Sequence, residues 1–192
     1  MALSDRKKAL TQALQDSEAL VRTAASRALD RVEGMERLQN IFEAVSSGEK
    51  PHRIRAIHFL GFLNTAESVD RLLALLQDPG PDIRVAAVKA IQIHLPQRAL
   101  VPLLGVLEDP EISVVQMVME TLSHYQDPRI TEFLVPFLIA SDTETACIAA
   151  EALGRNGDPT AELHLVKVLR GATDPLLRAR TAVALGNLRP NT

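Results

Sequence analysis

The chain has 192 residues, of which 46% are hydrophobic and only 3% aromatic, and its formal net charge is −3. This length suits one or two globular domains, or one solenoid of about six units. The low aromatic content and the lack of tryptophan disfavour sites that stack nucleotides or carbohydrates. The small negative charge gives no electrostatic reason to expect nucleic acid or an anionic membrane as a partner.

The cysteine content and the apolar runs exclude further classes of protein. A single cysteine, Cys147, excludes an internal disulfide framework and a thiolate zinc site. No apolar run follows the basic residues near the N-terminus, so we predict no secretory signal. No stretch approaches the ~20 apolar residues that span a bilayer. We therefore expect a cytoplasmic protein, and no motif calls for a cofactor.

An interval of 31 residues organises the chain. A leucine or isoleucine returns at this interval, with one extra residue before the last copy: Leu29, Leu60, Ile91, Leu122, Leu153 and Leu185. The first half of each unit has apolar positions spaced i, i+1 and i+4, which lie on one side of a helix. The sequence therefore predicts six two-helix repeats, with approximate bounds 1–33, 34–65, 66–96, 97–127, 128–158 and 159–192.

Turn residues separate the predicted helices. Aspartate can cap a helix, and proline at the first helical position loses no hydrogen bond. Such Asp-Pro pairs stand at Asp78-Pro79, Asp109-Pro110, Asp127-Pro128 and Asp158-Pro159. We expect helices near 18–31, 35–46 and 128–140, and helix stops at Gly154 and Gly186. Because one repeat cannot bury its apolar face alone, the six should stack as a single domain.

The repeating pattern resembles a known family. Asp16-x4-Val21-Arg22-x2-Ala25-x2-Ala28-Leu29 resembles the HEAT repeat, and more narrowly the short bacterial and archaeal HEAT-like repeats also seen in phycobilisome lyases. The resemblance implies an all-α fold, an α-α superhelix whose second helices line a concave side that commonly binds proteins. Val115 and Ala146 depart from the pattern, because the family has arginine there.

The resemblance also implies a structural role for that arginine. In the family it works with the turn aspartate six residues earlier to bond neighbouring turns, and such partly buried charge pairs cost stability when one partner is removed. The expected structural ladder comprises Asp16, Arg22, Arg53, Asp78, Arg84 and Arg178. Ser47 and Gly171 stand where two of the aspartates would be. Arg53 and Arg178 are therefore expected to be freer, with anion binding as an alternative role.

Helix geometry indicates which residues face away from the core. At ~100° per residue, these are the positions two before, two after and six before each repeating leucine. Apolar residues with a charged rim are typical of a protein-binding surface. The expected partner-binding residues are Arg27, His58, Phe62, Val85, Lys89, Ile93, Glu120, His124, Glu151 and Arg155. Phe62, Val85 and Ile93 would be the apolar anchors for a peptide or helix of another protein. Alternatively, these side chains touch adjacent repeats or are ordinary solvated residues.

The sequence gives little support for catalysis. None of the five histidines is followed by glutamate, and no His-x3-His pair offers a metal site. Cys147 lies in a column of small and apolar residues with Glu144 and Glu151 nearby, and carboxylates raise the pKa of a thiol. We therefore predict a non-enzymatic interaction scaffold. The alternatives are a bilin lyase or chromophore-handling protein, from family resemblance alone, and lastly a DNA-binding HEAT-like protein.

The last repeat leaves a choice open. Its apolar residues Leu176, Leu177, Val183 and Leu188 lie close to the C-terminus. Either they pack within the repeat, or they form a docking surface for end-to-end self-association.

Overall fold

The computed structural model describes residues 3–190, and the regular elements among them are all helices. The α-helices are α1 (Leu3–Ala13), α2 (Ala19–Ser47), α3 (Lys50–Leu63), α4 (Ala66–Leu75), α5 (Pro81–Gln92), α6 (Leu100–Val106), α7 (Ile112–Leu122), α8 (Arg129–Leu134), α9 (Thr143–Asn156), α10 (Glu162–Gly171) and α11 (Pro175–Asn187). Short 3₁₀ helices lie at Gln97–Ala99, Val135–Ile139 and Pro159–Ala161. The predicted all-α repeat fold is confirmed. Within the described range, no helix has the length and apolar character that crossing a bilayer would require.

The chain divides into two compact units, Met1–Ala56 (unit 1) and Ile57–Thr192 (unit 2), and the boundary falls inside α3. In unit 2 each second helix packs against the next one, α5 on α7, α7 on α9 and α9 on α11. The repeating apolar residues Leu60, Ile91, Leu122 and Leu153 are fully buried there. The 31-residue periodicity therefore builds the core of unit 2. That the six repeats form one domain stays a prediction.

Capping residues and left-handed residues mark several helix ends in unit 2. Thr65 and Ser68 form a reciprocal capping box at the start of α4. Left-handed backbone conformations recur at Asn64 (φ 45°), Leu95 (φ 47°) and Gly157 (φ 70°), which lie one repeat or two repeats apart. A left-handed residue satisfies the last carbonyls of a helix and turns the chain. These residues therefore set the ends of the second helices.

Gly154 lies inside α9, and the prediction that it stops the helix is wrong. The helix continues to Asn156, and Gly157 forms its left-handed cap. A Cβ at Gly154 would lie only 2.6 Å from the Cα of Ala184 in α11. The glycine is therefore needed because the backbones of consecutive second helices approach closely here. Gly186 likewise lies within α11 and does not end it.

Unit 1 departs from the predicted turn pattern. The helices expected at 18–31 and 35–46 are one continuous helix, α2, of 29 residues. The stretch between them contains only Gly34 as a breaker, and a lone glycine costs about 1 kcal/mol in a helix without ending it. Lys7 of α1 adds salt bridges to Glu33 (3.4 Å) and Glu36 (3.0 Å) across this stretch.

A second difference concerns the helix expected at 128–140. It is split into α8 and the 3₁₀ helix Val135–Ile139, which contains Pro136. Proline has no amide hydrogen, and its ring clashes with the preceding turn of an α-helix. The first helix of the fifth repeat is therefore short and irregular.

Candidate functional site

The second helices of unit 2 share an exposed face. We call it the second-helix face; its residues are His58, Phe62, Lys89, Ile93, Glu120, His124, Glu151 and Arg155. Glu151 is half-buried and the others are exposed. Val85, one of the expected anchors, is half-buried on α5, and Arg27 is exposed on α2 of unit 1.

The apolar part of this face lies on α3 and α5. The side chain of Phe62 is 67% exposed. A Cβ at the neighbouring Gly61 would lie 2.8 Å from the Cδ1 of Ile93, so Ile93 reaches across to α3 next to Phe62. His58 lies one helical turn before Phe62, and Lys89 one turn before Ile93. The arrangement is an apolar patch with a polar and basic margin.

Phe59 is a further exposed aromatic residue of α3 that was not among the expected binding residues. It is 48% exposed and lies three residues before Phe62 on α3, so the two rings are neighbours on the helix surface. A signal was present in the repeat register. Other repeats place a small residue at this position: Ala28, Ala90, Thr121, Ala152 and Ala184. A phenylalanine at a position that is otherwise small differs from the other repeats, and this difference could have pointed to Phe59.

The acidic part of the face is less acidic than the sequence suggests. Glu151 is paired with Arg180 at 2.9 Å and with Arg155 at 3.8 Å. Among the described residues Glu120 has no ion pair. A small recess of about 200 Å³ lies beside these side chains and is lined by Glu120, Ser123, Ile148, Glu151, Ala152 and Arg155. Glu120 therefore carries the uncompensated negative charge here.

The column six residues before the repeating leucine points partly into the helix interfaces. Gln116 of α7 donates a hydrogen bond from Nε2 to Oγ1 of Thr145 on α9 (3.0 Å). Cys147 is buried, and it packs in a cluster with Ala146 and Leu177. Burial, followed by the negative charge of Asp174, raises the pKa of the Cys147 thiol. This thiol is therefore part of the core and is poorly suited to act as a nucleophile.

The structural arginines include one that links consecutive repeats. Arg84 forms a bidentate ion pair with Asp109, with Nε to Oδ2 at 2.6 Å and Nη2 to Oδ1 at 2.8 Å. Its Nη1 donates to the backbone carbonyl of Asp78 at 2.7 Å. Thus the ion-pair partner is the turn aspartate of the next repeat, whereas the expected Asp78 contributes its carbonyl oxygen. Burial would raise the pKa of Asp109, but the hydrogen bonds from Arg84 and from the amide of Glu111, together with the positive charge of Arg84, outweigh it, and the pKa is lowered.

The other arginines of the expected ladder differ from Arg84. Arg22 is exposed and donates to the carbonyls of Asp16 (2.7 Å) and Ser17 (2.8 Å), not to the Asp16 carboxylate. Arg53 donates from Nε to the carbonyl of Val45 at 2.7 Å. The side chain of Arg178 is exposed and forms no hydrogen bond or ion pair with the residues that the structure describes.

A second set of inter-repeat hydrogen bonds was not anticipated. Tyr125 donates its hydroxyl to the carbonyl of Pro96 (3.1 Å), and Asn156 donates from Nδ2 to the carbonyl of Tyr125 (2.8 Å). Arg189 then donates to the carbonyl of Asn156 (2.9 Å). Burial raises the pKa of Tyr125 to about 12. Tyr125 and Asn156 are 31 residues apart, so the repeat register again held the signal.

Within residues 3–190, no three His, Cys, Asp or Glu side chains are grouped so as to hold a metal ion. The histidines of the second-helix face, His58 and His124, come from different repeats.

Comparison with protein families and curated sequences gave one result. A family model described as HEAT repeats matches twice, over residues 7–92 and 38–123. Together these matches span residues 7–123, which is more than half of the chain. No curated protein sequence matched.

Solved structures of similar fold include the following two. The complex of CpcE and CpcF of phycocyanin lyase from Nostoc sp. PCC7120 is 24% identical with a TM-score of 0.55, over 97% of this chain and 76% of that chain. An engineered protein is 18% identical with a TM-score of 0.54, over 95% of this chain and 96% of that chain. Both support a helical repeat fold.

Proposed function

Because the chain belongs to the HEAT-repeat family, we propose that it is a non-enzymatic scaffold whose second-helix face binds a peptide or helix of another protein. The observation that carries the proposal is the exposure of three apolar side chains: Phe62 and Ile93, where α5 approaches α3, and Phe59, one turn before Phe62 on α3. All three are exposed although they lie among fully buried neighbours such as Leu60 and Ile91. Exposed aromatic and aliphatic groups with a polar rim are what a binding hot spot requires.

The charges around the patch define the partner that fits. Lys89 lies on α5 beside Ile93, and Glu120 lies on α7, and among the described residues neither forms an ion pair. An apolar segment with an acidic group toward Lys89 and a basic group toward Glu120 would be complementary. Charges at the rim of an interface chiefly set orientation and association rate, whereas the buried apolar contacts supply affinity.

The single cysteine favours binding over catalysis and suits a reducing compartment. Cys147 is buried and the pKa of its thiol is raised, so it is disfavoured as a nucleophile. A free, unpaired cysteine is typical of proteins kept in reducing conditions, which supports the cytoplasmic location. If the protein handled a bilin, adding one would change the absorption spectrum of the pigment; we expect the spectrum to stay unchanged.

Affinity capture from the cell that makes the protein tests the proposal. Partners would be identified by mass spectrometry, and the main one purified and titrated against the chain. We expect the double variant Phe62→Ala/Lys89→Glu to bind this partner at least about tenfold more weakly, because it has lost one apolar anchor. The matched control is Leu163→Ala/Lys167→Glu, which removes an exposed leucine and lysine from α10 on the first-helix side. Equal affinities of the wild-type chain and the Phe62→Ala/Lys89→Glu variant would refute the proposal.

A second surface supports self-association. The outer side of α11 leaves Ala182 and Gly186 exposed in the last repeat. We propose that this side also docks end to end on another repeat surface, separately from the second-helix face.

A further inference from the structure

The outer side of α11 has the composition of an interface between repeats. Residues Ala146, Ala150 and Gly154 of α9 are buried. Their counterparts 32 residues on are Arg178, Ala182 and Gly186, and all three are exposed. The last repeat thus keeps the small residues that receive a following helix, yet a Cβ at Gly186 would meet nothing within 4 Å. We call this surface, with Arg178, the C-terminal face.

Two kinds of contact between consecutive repeats are present in unit 2, the first at two junctions and the second at one, and they are called the first and second rules. In the first, a glycine just after the repeating leucine meets an alanine just before the next repeating leucine. Gly154 approaches Ala184 in this way, and Gly61 approaches the backbone of Ala90, where a Cβ would lie 2.9 Å from the carbonyl oxygen. In the second, the arginine of one repeat pairs with the turn aspartate of the next, as Arg84 does with Asp109.

The first repeat has the residue types that would receive both contacts. Ala28 occupies the alanine position of the first rule and is half-buried on α2. Asp16 occupies the aspartate position of the second rule and is exposed. Its Oδ1 accepts a hydrogen bond from the amide of Glu18 at 2.9 Å, as Oδ1 of Asp109 does from the amide of Glu111 at 2.9 Å. The carboxylate that Arg84 finds at Asp109 is therefore presented in the same local turn at Asp16.

We propose that copies of this chain associate head to tail, with Arg178 of one copy paired to Asp16 of a second copy and Gly186 packed against its Ala28. The interface repeats the contacts that already join repeats inside unit 2. It rests on the proposed end-to-end docking and names the residues that would meet in the two copies. Charge complementarity supports a second copy: neither Arg178 nor Asp16 forms an ion pair among the described residues, and they hold the positions that the ladder would join next.

The proposed contact joins two different surfaces, so it is heterologous. Such contacts either continue into open assemblies or close into a ring. The average mass in solution should therefore rise with protein concentration above the 21.0 kDa of one chain.

Sedimentation velocity of charge-reversal variants tests this inference. We expect Arg178→Glu alone and Asp16→Arg alone to remain at the mass of one chain, because like charges then meet. An equal mixture of the two variants should recover association, and so should the double variant, because opposite charges meet again. Arg55→Glu, which reverses an exposed arginine on α3, serves as the charge control and should associate like the wild-type chain. A wild-type chain that stays monomeric, or a mixture that does not recover, would overturn the inference.

The contact of Gly186 with Ala28 can be tested independently of the charges. We expect Gly186→Leu to abolish association, because the added side chain keeps the second copy away. Gly105→Leu is the control, since a Cβ at Gly105 also meets nothing within 4 Å but lies on α6. Unchanged association of Gly186→Leu would contradict the proposed packing.

The two proposals can fail separately. Arg178 and Gly186 do not belong to the second-helix face, so Arg178→Glu should bind a captured partner with wild-type affinity while it fails to self-associate. Phe62→Ala/Lys89→Glu should show the reverse. A variant that loses both activities together would indicate one shared surface and would contradict the separation proposed here.

Discussion

Unit 1 and unit 2 contain the same repeat pattern but use it differently. In unit 2 left-handed residues follow α3, α5 and α9, and Leu60, Ile91, Leu122 and Leu153 are fully buried. In unit 1 the two central helices are fused into α2, in which only Ala25, Val32 and Val45 are buried. The difference shows that apolar periodicity sets the register of the repeats, whereas turn residues determine whether two successive helices are separated or continue as one helix.

The arginines show the same contrast. Arg22 of unit 1 is exposed and bonds only to carbonyls of its own turn. Arg84 of unit 2 is buried and joins two turns through a carboxylate and a carbonyl. The same residue type at the same register position is thus a local contact in one unit and an inter-repeat tie in the other.

The largest effect should come from removing the buried arginine. We expect Arg84→Ala to lower the free energy of unfolding by about 3 kcal/mol, because it leaves the Asp109 carboxylate buried without its partner. Arg22→Ala, in unit 1, should cost less than about 1 kcal/mol, since its contacts are exposed. Urea unfolding of both variants measures the difference. Equal losses would show that the two units use this arginine alike.

Acid should weaken the same ion pair. The pKa of Asp109 is lowered in the folded protein, so its contribution is present above the unfolded pKa of about 3.9 and is lost as the pH falls through the folded value. We therefore expect the stability gap between wild type and Arg84→Ala to narrow below about pH 4. Urea unfolding as a function of pH measures this gap. A stability gap that stays constant down to the lowest pH at which the protein folds would contradict the ion pair between Arg84 and Asp109.

Two glycines should respond to alanine with opposite signs. Gly154→Ala is expected to destabilise unit 2 by about 2 kcal/mol, because its Cβ would overlap Ala184. Gly34→Ala should stabilise α2 by up to about 1 kcal/mol, because its Cβ has open space and alanine favours helix. Thermal unfolding of both variants tests the pair. A stabilising Gly154→Ala would mean that the helices are not held at this distance.

The smallest effect concerns a hydroxyl inside unit 2. Thr121 is fully buried, and its Oγ1 has no hydrogen-bond partner among the described residues. Replacing it by the isosteric valine should raise the free energy of unfolding by about 1 kcal/mol, because an unpaired buried hydroxyl is costly. Thr23→Val, at an exposed position of unit 1, is the control and should change it by less than about 0.5 kcal/mol. A loss of stability in Thr121→Val would show that the hydroxyl is satisfied in solution.

Much of the fold follows from the sequence because the repeat register is redundant. Four copies of the leucine position, Leu60, Ile91, Leu122 and Leu153, are fully buried, whereas Leu29 and Leu185 at the two ends are half-buried. Helix geometry placed Phe62 and Ile93 on the exposed side, but Val85 is half-buried. The fused helix α2 was not predicted, because a single residue, Gly34, had to be weighed against the helix-forming residues on both sides. The break at Pro136 was readable in principle, since proline opposes an interior helical position.

The candidate site was less predictable, because its details depend on neighbours from other repeats. Exposure of Phe62 and Ile93 follows from their column. The neutralisation of Glu151 depends on Arg180, which approaches only when α9 and α11 pack together. The ion-pair partner of Arg84 likewise lies in the next repeat, whereas the family resemblance implied Asp78 of the same repeat. That the face binds a protein stays a prediction.

Site-specific photo-crosslinking tests the central claim most directly. A photoreactive amino acid would replace Phe62 on the second-helix face or Leu163 on α10, and both variants would be irradiated in the cell that makes the protein. We predict one dominant protein adduct at position 62 that is absent at position 163. Adducts of equal yield at both positions, or a dominant adduct only at position 163, would contradict the assignment of the binding surface.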